Sequence, residues 1–121
     1  MSTKRGAVAE SIVCTACLRR GRDVCFPARG LSPPYDMVVR GVDGEFHKVQ
    51  VKRAHTRKRG RTATLRVNIT DSRGKVYDRK EVDVMAIVDV DTHRVWFIPM
   101  ARLRGQKTVS LTSGKWDEWL L

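Results

Sequence analysis

No stretch of this chain approaches the roughly 20 consecutive apolar residues that a membrane-spanning helix requires. The basic residues in "MSTKRGAVAESIV" are not followed by the long apolar segment that directs secretion. A soluble intracellular protein without a membrane partner is expected. Neither GxxxxGK[ST] nor GxGxxG occurs, so no glycine-rich loop is present to cradle a nucleotide phosphate. Cysteine is scarce: Cys14, Cys17 and Cys25 offer one CxxC, "CTAC", with no second clustered pair, and His47, His55 and His93 are isolated. A structural zinc site needs about four ligands, so these thiols read instead as small core residues of a helix. At 121 residues there is length for one core, and residues 1–121 are expected to form a single domain.

Acidic residues are the most informative shortage. Asp and Glu number 13 against 24 Lys and Arg, a net charge of +11, and such an imbalance calls for a polyanionic partner. The basic residues are scattered through strand-like and turn-like segments and do not gather on an amphipathic helix, so nucleic acid fits better than an anionic membrane. Between Phe46 and Thr70 there is no acidic residue, yet Lys48, Lys52, Arg53, Arg57, Lys58, Arg59, Arg61 and Arg66 all lie there. With Arg29 in a loop further upstream, these residues other than Lys52 form the candidate DNA-contact set.

Hydrophobic periodicity supplies the frame. Ala9, Ile12, Val13, Ala16 and Cys17 recur at helical spacing between Thr3 and about Arg20, and Gly21 ends the pattern. "DVCFPA" (23–28) alternates as a strand, and "RGLSPP" (29–34) is a loop by its Gly, Ser and Pro content. "YDMVVRG" (35–41) and "EFHKVQVKRAH" (45–55) read as a hairpin closed at "VDG", where Asp-Gly supplies a left-handed turn residue. A second hairpin is expected with "TRKRGR" (56–61) at its tip and "TATLRVNI" (62–69) as its return strand; "TDSRGKVYDRKE" (70–81) is polar connection. "VDVMAIVDV" (82–90) and "HRVWFIPM" (93–100) carry the richest apolar content, which predicts two central strands. The class is therefore α/β in the α+β sense: a mixed central sheet flanked by helices. The tail "KWDEWLL" (115–121) is a last helical turn or an interaction segment, with Trp116 and Trp119 as either oligomer contacts or ordinary core.

Strand alternation places Gln50 and Lys52 on one face while Val49 and Val51 point to the core. An antiparallel hairpin over 35–55 then carries Asp36 toward Gln50 and Lys52. Glu10, at the edge of the helix's apolar stripe, can lean over the same sheet edge. Two carboxylates and an amide oxygen form a hard, all-oxygen donor set of the kind that suits Mg²⁺, with Mn²⁺ as a substitute. A lysine beside them can orient water or neutralise charge on a phosphate. Taken singly, each of these residues is an ordinary strand-end or capping group. Together, beside the longest basic stretch, they point to phosphodiester hydrolysis.

The ordered set "AESIV" with Glu10, "PPYDMVV" with Asp36, "VQVK" with Gln50 and Lys52, and then "VDVMAIVDVDTHRVWFIP" resembles the PD-(D/E)XK nuclease superfamily. Within it the pattern is most similar to the group I intron-associated homing endonuclease branch, which has Gln-x-Lys where most members have Glu-x-Lys. Holliday junction resolvases are more distant, since the chain lacks the long helix they carry after the catalytic strands. The resemblance runs from Gly6 to about Met100 and implies a restriction-endonuclease-like core. It also implies that Glu10, Asp36 and the Gln50 carbonyl bind Mg²⁺ and that Lys52 serves the hydrolytic water. Double-stranded DNA is the implied substrate and a homo-oligomer, dimer or tetramer, the implied assembly, in the cytoplasm with the nucleoid, or in the host cytoplasm for a phage protein. The alternatives are a junction resolvase or repair nuclease with the same chemistry, and a nucleic-acid-binding module with no catalysis.

Overall fold

The computed structural model describes residues 4–121. Thr3, placed by its sequence at the start of the first helix, lies outside them. Helix α1 (Lys4–Arg19) buries Ala9, Val13 and Cys17, the stripe its periodicity foretells. A five-stranded sheet follows in the order β1 (Val24–Cys25), β2 (Met37–Arg40), β3 (Phe46–Arg53), β6 (Val84–Asp89), β7 (Arg94–Pro99). Strand β3 pairs parallel with β6, and the other neighbours are antiparallel, so the sheet is mixed. A separate three-stranded sheet is formed by β4 (His55–Arg59), β5 (Thr62–Asn68) and β8 (Thr108–Ser110). A short helix, α2 (Met100–Leu103), and a 3-10 turn, Asp117–Trp119, complete the described residues.

The middle of the large sheet is covered on both faces. Helix α1 covers one, with Val49, Val51, Val84, Ala86 and Val88 packed against Ala9, Val13 and Cys17. On the other, Met85, Ile87, Trp96 and Ile98 pack against Leu103, Val67 and Val109 of α2 and the small sheet. Each such side chain contributes about 1.5–3 kcal/mol by leaving water. All six residues of β6 are buried, and five of them, from Val84 to Val88, form the continuous apolar run of an interior strand.

Four expectations need correction. "DVCFPA" shortens to two strand residues, because the chain turns away at Phe26 toward its proline-rich loop. The 45–55 strand breaks at Ala54, whose N–H donates to the Val88 carbonyl at 2.8 Å, and the chain leaves the large sheet there for the small one. "TRKRGR" is therefore no loop: Arg57, Lys58 and Arg59 pair with Thr64, Ala63 and Thr62, which leaves Gly60 and Arg61 as a two-residue turn. Strand β7 is an edge and not a centre. Its apolar content is protected because the Leu121 N–H donates to the Val95 carbonyl at 2.9 Å and Leu120 bridges to Trp96. The tail thus covers its own chain, with Trp116 buried and Trp119 half-buried against the core.

Candidate active site

The β2–β3 hairpin builds the site. Gly44, at φ +82°, takes the left-handed turn position, and the Gly41 N–H donates to the Glu45 carbonyl at 2.8 Å. The resulting register sets Met37 opposite Val49. One residue further out, the Asp36 N–H donates to the Val49 carbonyl at 2.8 Å, and Asp36 Oδ2 accepts the Val51 N–H at 2.7 Å. These two bonds flank Gln50, so Asp36 is locked beside it. Because Val49 and Val51 join the helix-side core, Gln50 and Lys52 face the opposite side, as alternation requires.

Asp36, Gln50 and Lys52 line one cleft of about 790 Å³, walled by residues of the 32–34 loop and of the 70–81 segment. Glu10 lies across the sheet edge and meets Asp36 in an adjoining cleft of about 470 Å³. Asp36 therefore belongs to both clefts and joins the helix carboxylate to the strand residues. Burial, then the negative charge of Asp36, then the hydrogen bond between the two carboxyls push the Glu10 acid up to about 7. Burial also raises Asp36, opposed by the Val51 N–H, the Glu10 hydrogen bond and the positive charge of Lys52. Among the described residues no cluster of three or more His, Cys, Asp or Glu side chains is found; the groups gathered here are the carboxyls of Glu10 and Asp36 and, on the strand beside Asp36, the Gln50 amide.

Lys52 is held from outside its own strand. Its Nζ donates to the Thr70 carbonyl at 2.9 Å and lies 5.3 Å from the centre of the Tyr77 ring. Thr70 is itself pinned, donating to Asn68 Oδ1 from its N–H at 3.0 Å and from its hydroxyl at 2.6 Å. The polar connection after β5 is thus the far wall of the cleft. It also brings Arg73 and Lys75 there, two cationic residues absent from the expected set. Asp71 folds this wall, its Oδ1 accepting the N–H groups of Arg73 at 2.8 Å and Lys75 at 3.0 Å. "DSRG" carried that turn signature in the sequence; nothing local told where the turn would pack.

The expected basic set divides. Arg57, Lys58, Arg59, Arg61 and Arg66 are all exposed on the β4–β5 ribbon. Leu65 and Val67 face the core, and cross-strand pairing sets Arg57 and Arg59 with Arg66 on the outward face. Arg29 lines the smaller cleft beside Glu10 and Asp36. Lys48 is half-buried, and its Nζ donates to the Lys80 carbonyl, tying β3 to the segment before β6. Arg53 pairs with Val88 on the helix side, facing away from the large cleft, and its Nε is buried without a hydrogen-bond partner. Those last two residues have structural surroundings that set them apart from the exposed group.

A family model described as PD-(D/E)XK endonuclease matches residues 1–115. A bacterial homing endonuclease of known structure, I-Ssp6803I, shares the fold with a TM-score of 0.69 at 23% identity, over 92% of this chain and 76% of its own. No curated protein matches the chain. The family match spans α1, both sheets and the Asp36, Gln50, Lys52 cleft, and the chain belongs to the PD-(D/E)XK endonuclease family.

Proposed function

We propose that the protein is a Mg²⁺-dependent endonuclease that hydrolyses double-stranded DNA at specific sites, in the manner of homing endonucleases. The observation that carries this reading is Asp36 locked between Val49 and Val51, in one cleft with Gln50 and Lys52 and in contact with Glu10. A divalent cation fits the donors. Burial first, and then the charge of Asp36, make the Glu10 carboxyl hold its proton up to about 7, and a hard cation would offset both through oxygen ligands alone. Glu10, Asp36 and the Gln50 carbonyl would hold Mg²⁺, with Mn²⁺ able to replace it. The ion supplies Lewis acidity at the scissile phosphate.

The chain's own residues do the rest. Lys52, steered by the Thr70 carbonyl and the Tyr77 ring, orients the attacking water and offsets the negative charge that builds on the phosphate oxygens. Arg57, Lys58, Arg59, Arg61 and Arg66 on the ribbon, with Arg29 beside the carboxylates, hold the duplex through its phosphates and base edges. Lys48 and Arg53 belong to the same reading as weaker contributors to the local positive field. One chain offers one site, so cutting both strands requires a dimer or tetramer. A cytoplasmic, nucleoid-associated location follows from the substrate. Among the described residues no helix is long and apolar enough to cross a membrane.

The test is cleavage of a panel of genomic duplexes and synthetic four-way junctions with Mg²⁺, Ca²⁺ or chelator. Discrete duplex fragments in Mg²⁺ alone are expected. Nicks confined to junctions would replace this reading with a resolvase. Salt-sensitive binding without cutting in any metal would reduce the protein to a DNA-binding module.

A further inference from the structure

The loop between β1 and β2 holds two large apolar side chains out in water beside the carboxylates. Phe26 is 57% exposed and Leu31 is 67% exposed, and both line the cleft that Glu10 and Asp36 share. The loop is shaped to keep them there. The Leu31 N–H donates to the Ala28 carbonyl at 3.1 Å, and Gly30 takes φ +88°, which makes a tight turn with Arg29 at its apex. Pro27, Pro33 and Pro34 restrict the backbone on both sides. No acidic residue interrupts positions 24–35. A rigid turn that presents a phenyl ring, an isobutyl group and a guanidinium within a single cleft has the chemistry of a wedge for stacked bases: apolar surface for the base planes, cation for the phosphate.

We propose that residues 26–31 form such a wedge, with Phe26 and Leu31 entering the base step next to the scissile phosphate and Arg29 holding the adjacent backbone. This rests on the nuclease reading, since it is the phosphate at Asp36 that puts a base step within reach. The wedge opens the stack locally and so favours steps that unstack easily, pyrimidine–purine steps above all, without any hydrogen bond to a base.

Permanganate oxidation of unstacked thymines tests it on the wild-type protein bound to a duplex containing its mapped cut site, with Ca²⁺ in place of Mg²⁺. Enhanced reactivity confined to thymines flanking the cut is expected, together with its loss in the Phe26→Ala, Leu31→Ala double variant and its retention in Phe26→Trp. Cleavage by the double variant should fall about tenfold or more. Both residues are exposed, so the variants fold. Unchanged thymine reactivity on binding, with Mg²⁺-dependent cleavage intact, overturns the wedge alone. A double variant that keeps the reactivity but drops in molecular mass by sedimentation also overturns it and makes the loop a contact between copies. Absence of cleavage by wild type in any metal overturns the nuclease reading beneath it.

Discussion

Strands β3 and β6 lie side by side and parallel, and they divide the labour of the molecule. Register sets Gln50 beside Met85 and Lys52 beside Ile87 on one face of the sheet. Met85 and Ile87 are fully buried, whereas Gln50 and Lys52 are half-buried at a cleft. One rung apart in space, the same sheet surface passes from packed core to open cleft. Both strands have a neighbour on each edge; β6 is covered on both faces, whereas Gln50 and Lys52 of β3 open on the cleft walled by the 70–81 segment. Packing is thus concentrated in β6 and the proposed chemistry in β3, which makes the two separable by mutation.

The largest effect expected is on reactivity. Lys52→Ala should lower cleavage at least about a hundredfold, the scale of losing one positioned group that stabilises transition-state charge. Single-turnover rates check this, and the melting temperature should stay close to wild type. Its packing neighbour gives the converse: Ile87→Ala should cost about 2–5 kcal/mol in urea unfolding, with cleavage retained below the melting transition. A Lys52 variant that unfolds the protein, or an Ile87 variant that abolishes cleavage while folded, would break the separation.

A smaller effect follows from the carboxylates. In the metal-free protein the folded state holds the Glu10 proton more tightly than the unfolded chain, its acid standing at about 7 against 4.5. That stabilisation is complete below about 4.5 and is lost as pH rises through about 7, so metal-free stability should fall across this window. Glu10→Gln should flatten the slope. Mg²⁺, which competes with the proton, should bind more tightly as pH rises over the same range, as calorimetric titration at several pH values would show. The smallest effect belongs to the ribbon: Arg57→Ala with Arg59→Ala should leave folding unchanged and reduce the slope of log affinity against log salt by about 2.

Much of this site was legible before the fold was known, because its determinants are local. The "VDG" turn sets the hairpin register, the register delivers Asp36 to Gln50, and period-two alternation aims Gln50 and Lys52 away from the valines. Helix α1 was legible for a similar reason, its stripe reading directly as a buried face. The small sheet was not: nothing in "KRAHTRK" marks Ala54 as the point where the chain changes sheets, since no Gly or Pro stands there. The 70–81 wall escaped because polar composition says that a segment is exposed and gives no hint of what it faces. Tyr77 and Thr70 reach Lys52 only through tertiary packing. Strand β7 was misplaced because apolar content reports burial, and burial here comes from a tail that returns over an edge.

The most direct test of the account is cleavage by Asp36→Asn. Asparagine keeps an oxygen to accept the Val51 N–H, so the hairpin and the fold are preserved while the negative charge at the centre of the site is removed. The account predicts wild-type DNA affinity, an unchanged or slightly higher melting temperature, and no Mg²⁺-dependent cleavage. Cutting at the wild-type rate would contradict it and place the chemistry elsewhere in the chain.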